Sequence, residues 1–411
     1  MSAPIQQASR RTRRGLAAWV AGGVTAALVA GCASAPPPPA PASNASSGPA
    51  VSSSPLSSGS VSSNSVSSTV GAPPGSLAGF FPIGAYVQAP PYFGLWKSRG
   101  INTMVDVPDG TSEPGWNAAA VRDGLDEIRA PASNPARDAG NKHLLAWALQ
   151  DQPDDIGTQV AAAKIQETYR AWKRAAPGIP VYINFNGQFN QYDVATRASG
   201  RSWYQEYVKG ADWITADLYP VNSGEGGDLG LIGQEVDELR QVAGSKPVFV
   251  FIESGAYNAG NPVITPDQFR GEVWEAIIHG VRGIFYFPVQ VSPTFKYDVT
   301  PPAVAAEMTR QDATITKLAG VLQGEIDPPA VGATAPAPLQ VAWRSSAGRD
   351  YFFVLNLSAT PARDQVIHLT GAGSATSAAV YAEHRSVPVS GGTITDSFGP
   401  YALHIYEITA H

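Results

Sequence analysis

The side chains best suited to chemistry sit at the ends of short apolar runs. Asp106 and Asp109 close the run 101–107. Gln150, Asp151, Gln152, Asp154 and Asp155 follow 144–149. Asn184, Asn186 and Gln188 belong to the end of 181–185, and Asp217 and Tyr219 to the end of 213–217. Glu253 and Tyr257 follow 247–252, and Tyr286 and Gln290 lie at 281–287. Carboxylates serve as acid, base or nucleophile, amides hydrogen-bond hydroxyls, and aromatic rings cover the apolar faces of sugars. The mixture points to a carbohydrate site. Gln152, Asn184 and Asn186 are its candidate polar contacts; Trp147, Tyr219, Tyr257 and Tyr286 are its candidate ring platforms. Each has a plainer reading. Glu253 could pair with an arginine, Asp217 could hold backbone groups at its strand end, and the rings could be core. Asp151, Asp154 and Asp155 could cap a helix starting near Ile156, where an acid is stabilising.

Other chemistries lack support. No His-Glu-x-x-His spacing occurs, and a lone cysteine, Cys32, excludes a disulfide scaffold and a zinc–thiolate site. His143 and His279 are isolated in the middle of the chain, and Gly-x-Ser-x-Gly is absent. No metal and no cofactor are expected. The formal net charge is −6, and it is more acidic still without Arg10, Arg11, Arg13 and Arg14. Such a chain lacks the basic face that nucleic acid requires.

Something must position these residues. The 411 residues suffice for two or three domains, or for one large barrel with an accessory module. From about residue 80, eight apolar runs (81–87, 101–107, a weak 124–129, 144–149, 181–185, 213–217, 247–252 and 281–287) alternate with amphipathic stretches. Helical spacing marks 156–176, 230–243, 266–279 and 301–323. The alternation predicts a (β/α)₈ TIM barrel over 79–325, with its site at the C-terminal ends of the strands. A doubly wound sheet would want a Gly-rich phosphate loop after an early strand, and none is present. Beyond 326 short period-two runs (351–357, 365–369, 379–382, 393–395 and 402–408) predict a small antiparallel, sandwich-like β-domain over 326–411.

The N-terminus reads as an address. Arg10 to Arg14 form a basic segment before an uncharged apolar stretch over 15–30, short for a membrane span. Leu28-Val29-Ala30-Gly31-Cys32 resembles the lipobox of bacterial lipoproteins, which implies a signal peptide over 1–32 and lipidation of Cys32. The twin arginines leave Sec and Tat export both open. Ala33 after the cysteine resembles outer-membrane sorting. Residues 33–78 are Pro-, Ser- and Ala-rich and uncharged, a composition that favours a disordered tether. The expected place is the cell envelope, at the outer membrane or facing the periplasm.

Three motifs then resemble the clan A glycoside hydrolases. Lys246-Pro247-Val248-Phe249-Val250-Phe251-Ile252-Glu253-Ser254-Gly255 resembles the clan's seventh strand, whose terminal Glu is the nucleophile. Trp147-Ala148-Leu149-Gln150-Asp151-Gln152-Pro153-Asp154 resembles the fourth strand, which ends Asn-Glu-Pro or Asp-Glu-Pro. Asp217-Leu218-Tyr219-Pro220 resembles the Asp-x-Tyr-Pro of strand six. The resemblance covers about 80–325 and implies Glu253 as nucleophile. The acid/base position holds Gln152, and an amide donates no proton to a leaving oxygen. Three readings follow: another carboxylate (Asp151, Asp154, Asp155 or Asp217) is the acid; a different pair operates; or the site binds sugar without cutting it. The first, with Asp151 or Asp217 as donor, gives an exported, monomeric glycoside hydrolase acting on a polysaccharide or oligosaccharide. The third gives a non-catalytic carbohydrate-binding lipoprotein.

Overall fold

The computed structural model describes residues 77–155, 158–186, 200–224 and 227–409. Cys32, the signal segment, nearly all of the tether, Ile156 and Gln188 lie outside the described residues.

Eight parallel strands close into a barrel in chain order: β1 (Ile83–Tyr86), β2 (Thr103–Val105), β3 (Asp126–Arg129), β4 (Leu144–Ala148), β5 (Val181–Asn186), β6 (Trp213–Asp217), β7 (Val248–Glu253) and β8 (Ile284–Phe287). Closure is the β1–β8 pairing, Gly84 opposite Phe285. Period two separates the faces of each strand. In β7 Val248, Val250 and Ile252 join the outer core, while Phe249 and Phe251 fill the interior with Phe285, Phe287, Tyr182 and Trp213. The interior is tight enough to need a glycine: a Cβ at Gly84 would lie 2.4 Å from the Phe285 ring.

Helices α1 (Phe93–Arg99), α2 (Glu113–Asp123), α3 (Ala162–Ala175), α4 (Gly200–Val208), α5 (Gly230–Ala243), α6 (Pro266–Ile278) and α7 (Pro302–Leu322) form the outer layer. Sequence chemistry sets their ends. Thr265 and Gln268 form a reciprocal capping box at the start of α6, with Pro266 in the first turn. Gly100 ends α1 at φ 107°, where a Cβ would lie 2.5 Å from that of Asp312. Three predicted helices match closely, but the one expected over 156–176 starts later, at Ala162 with Ala161 as N-cap. Asp151, Asp154 and Asp155 therefore do not cap this helix. α1, α2 and α4 were not anticipated.

After β3 the chain makes only a short 3₁₀ helix, Pro135–Gly140. A polar network fills the place of a helix face. Arg129, 1% exposed, donates to both oxygens of Asp138 (2.9 and 3.2 Å) and to Glu127 (3.3 Å). Trp147 Nε1 donates to Asp138 (2.8 Å), and Asn117 and Asn141 donate to Glu127. The strand reads weakly because its outward residues, Glu127 and Arg129, are charged.

The C-terminal region is all antiparallel. One sheet runs β10 (Leu339–Ser346), β11 (Arg349–Asn356), β16 (Leu403–Thr409), β13 (Ser377–Val380), β14 (Arg385–Pro388); the other runs β15 (Thr393–Phe398), β12 (Ala362–Thr370), β9 (Gly332–Thr334). Phe352, Val354, Ile367, Ile394 and Tyr406 form a core of their own. The opposite face joins the outer core of the barrel through Phe353, Leu355 and Ile405. Phe353 stacks on Trp274 of α6 (5.9 Å), and Arg270 donates to the carbonyls of Pro400 and Tyr401.

Candidate active site

Strand parity and the loops that follow decide what reaches the barrel mouth. Rings line it. Tyr86 stacks on Phe287 (5.5 Å) and meets Phe251 edge-on (5.3 Å); Tyr219 packs against Phe287 (5.1 Å) and Tyr257 (5.9 Å). Tyr257 is half-buried, whereas Tyr86 and Tyr219 are buried.

Three carboxyl groups meet above these rings. Asp151, half-buried, accepts hydrogen bonds from Tyr86 Oη (3.1 Å) and Asn184 Nδ2 (2.9 Å). Asp217, buried, accepts from Gln152 Nε2 on both oxygens (3.0 and 2.8 Å) and from Tyr219 Oη (3.4 Å). Asp106, half-buried, lies close enough to Asp151 to feel its charge. Among the described residues no lysine or arginine pairs with any of the three. Burial first, and then repulsion from Asp151, holds the carboxyls of Asp106 and Asp217 well above the usual range. Burial also raises Asp151, against its bonds from Asn184 and Tyr86. The same burial and the nearby acids keep the phenols of Tyr86 and Tyr219 neutral. Such a group of acids shares its protons, with Asp151 the best-supported anion and Asp106 the member without a side-chain donor among its influences.

The backbone is strained at the same place. Val87 (φ 49°), Asp106 (φ 61°) and Gln152 (φ 45°) adopt left-handed conformations just after β1, β2 and β4. A β-branched residue there is a true outlier, and such strain clusters at working sites. Gln152 Oε1 and Asn184 Oδ1 are buried and without a partner among the described residues.

Several sequence expectations are corrected. Trp147 and Tyr286 have outward parity. Trp147 is fully buried against Trp172 (5.9 Å), and Tyr286 donates to Asp312 of α7 (2.6 Å), so neither can be a sugar platform. Asn186 is 1% exposed; its backbone N donates to Asp154 (3.0 Å) and its Nδ2 to Asp155 (3.1 Å). Asp154 also accepts from Tyr204 of α4 (2.8 Å), and burial pushes its carboxyl up to about 7. These three residues pin β5 and α4 beneath the mouth.

Glu253, the expected nucleophile, is 1% exposed. Val221 N and Asn222 N donate to its two oxygens, each at 2.8 Å, and Asn222 Nδ2 donates as well. The side chain is turned into the loop after β6, away from an open approach. Asp151, Asp217, Gln152, Asn184, Tyr219 and Tyr257 are brought together. Tyr86 and the role of Asp106 were missed. Inward parity at the end of β1 signals Tyr86; nothing in the sequence signals the left-handed turn at Asp106.

No family model matches the sequence, and no curated protein does either. Solved structures do match in shape. A GH42 β-galactosidase from G. stearothermophilus aligns with a TM-score of 0.56 at 10% identity, over 81% of this chain and 98% of that one. A β-galactosidase from Bacillus circulans sp. alkalophilus gives 0.55 at 10% identity, over 81% and 100%. An α-amylase from Geobacillus thermoleovorans, complexed with acarbose, gives 0.52 at 10% identity, over 80% and 98%. At such identities the likeness establishes the fold, a TIM barrel continued by an antiparallel β region, and the function must be argued from the site.

Proposed function

We propose that the chain is an exported glycoside hydrolase, held at the cell envelope by a lipid on Cys32, that cleaves a polysaccharide or oligosaccharide at the barrel mouth. The observation that carries this reading is the trio Asp106, Asp151 and Asp217. These acids lie near one another beside aromatic rings, no cation among the described residues pairs with them, and two of them are partly exposed. Acids whose environments push their protonation apart are suited to acid–base work. Asp106 is the proton donor that Gln152 cannot be. Its proton passes to the glycosidic oxygen as the bond from that oxygen to the anomeric carbon breaks. Asp151, whose carboxylate form accepts from Tyr86 and Asn184, either attacks the anomeric carbon or takes a proton from the water that does. Asp217 keeps Gln152 and Tyr219 in place.

The loops after β1 and β8 favour a polymeric substrate. Phe295 is 42% exposed and meets Tyr297 edge-on (5.0 Å), and Tyr297 lies 5.3 Å from Tyr92. Gln88, fully buried, donates to the carbonyls of both Tyr86 and Tyr297 (2.9 and 2.8 Å), so this rim is braced to the residue that holds Asp151.

A second reading keeps the glycan and drops the chemistry. The amide at Gln152 and the occupied oxygens of Glu253 support a non-catalytic glycan-binding lipoprotein. Reducing-sugar release on a panel of bacterial and plant polysaccharides separates the two. We expect release, lowered about 10²–10⁴-fold in both Asp106→Asn and Asp151→Asn. Binding without release, with the same affinity in both variants, would select the second reading.

A further inference from the structure

Glu253 does not stand alone. Glu272 of α6, fully buried, lies against it, close enough for a carboxyl–carboxyl hydrogen bond. No N–H or O–H of the described residues reaches either oxygen of Glu272. An ionised Glu272 would therefore be a buried charge without a donor, beside a second negative group, which is far too costly to persist. As a neutral acid its one proton has a natural acceptor, a Glu253 oxygen. Glu253 in turn gathers Val221 N, Asn222 N and Asn222 Nδ2.

Asn222 carries the linkage onward. Its Nδ2 donates to Gly255 O (2.8 Å), its Oδ1 accepts from Tyr257 N (3.0 Å), and its carbonyl accepts from Asn261 Nδ2 (2.6 Å). Tyr219 lies two residues before Val221. We infer that Glu253 is a positioning residue: with Glu272 it forms a proton-sharing carboxyl pair that ties the loop after β6 to the loop after β7, fixing Tyr219 and Tyr257 at the mouth. This goes beyond the proposed function and holds whether or not a glycan is cut.

The clamp depends on pH in a defined direction. The charged groups near Glu272 are Glu253 from β7 and, one turn along α6, Glu275, which pairs with His279, itself paired with Asp237 of α5. Arg270 on the same helix is occupied by Asp267 and Glu307. Tyr219 and Tyr257 feel Glu253 as neutral phenols. Among the described residues no cation is thus placed to stabilise an ionised Glu272. Burial and Glu253 raise its carboxyl, so the folded protein keeps a proton that the unfolded chain releases. The one-proton pair is intact at neutral pH, is lost as pH rises through the raised value of Glu272, and takes up a second proton on Glu253 at low pH.

Hydrogen exchange of the full chain tests this, as protection of the Val221 and Asn222 amides corrected for intrinsic rates. We expect wild-type protection to fall at alkaline pH. Glu253→Gln should lower it about tenfold at neutral pH. Glu272→Gln, whose amide still donates to Glu253, should keep neutral protection and abolish the alkaline fall. Unchanged protection in Glu253→Gln would overturn the clamp, as would identical pH profiles for wild type and Glu272→Gln. The latter pair decides the matter even if Glu253→Gln does not fold.

Discussion

Two acid clusters lie in this barrel, one on the outside of β3 and one at the mouth, and they are built oppositely. Behind β3, Asp138 and Glu127 surround Arg129, and every member has a partner. Burial would raise the Asp138 carboxyl, but bonds from Arg129, Ala132 N and Trp147 outweigh it and hold it below the usual range. At the mouth, Asp106, Asp151 and Asp217 have amides and phenols for company, and all three are raised. The first arrangement replaces a missing helix; the second keeps protons available at the price of stability. A counter-ion sets the acids behind β3 apart from those at the mouth, while the Glu253–Glu272 pair holds two loops without one.

The sharpest way to break this contrast is to replace one ionisable group on each side. Arg129→Met leaves two buried carboxylates uncompensated and should cost about 3–5 kcal/mol in urea unfolding at neutral pH. Asp106→Asn removes the cost of keeping a proton there and should leave stability unchanged or higher. The pH dependences should differ in sign. Asp138 contributes stability above the ordinary carboxylate range, lost as pH falls through its lowered value. Asp106 costs stability as pH rises from that range toward its raised value, and Asp106→Asn should remove that decline. Equal losses in the two variants would end the distinction.

A smaller effect separates a reassigned acid from a lost one. Gln152 Nε2 donates to both Asp217 oxygens. Gln152→Glu turns that donor into a third acid against Asp217 and should cost about 1–3 kcal/mol. It should also give no more sugar release than the parent. Gain of release by Gln152→Glu would show that the position had merely lost its acid, and that Asp106 had not taken the part.

How far the sequence reached follows from the same physics. The eight strands were legible because each alternates large apolar residues, as in Val248 to Ile252, and even the charged β3 kept its place in the rhythm. α2 was not, since its Pro, Gly and run of alanines show little helical period. Residue types at the strand ends were legible, but their directions only partly. Trp147 and Tyr286 differ from Ala148 and Phe287 by one position, which is the difference between the helix layer and the interior. Glu253 has inward parity yet turns sideways, because the N–H groups of Val221 and Asn222 draw it into a loop whose path no local pattern encodes.

The smallest test concerns the rim. Phe295 lies in a hairpin loop closed by paired Gln290 and Lys296 and bonded to the loop after β7 through Val291 N to Tyr257 O (2.6 Å). An exposed ring on a braced loop adds contact area at little cost in chain entropy. Phe295→Ala should therefore weaken binding of a long glycan by about 0.5–1.5 kcal/mol. It should leave short oligosaccharides unaffected and stability within about 0.5 kcal/mol. Titration calorimetry with chains of graded length reads this directly. A loss that appears only beyond a certain length would measure how far the glycan runs from the acids to the rim. An equal loss at every length would place Phe295 beside the acids and make the mouth a compact pocket.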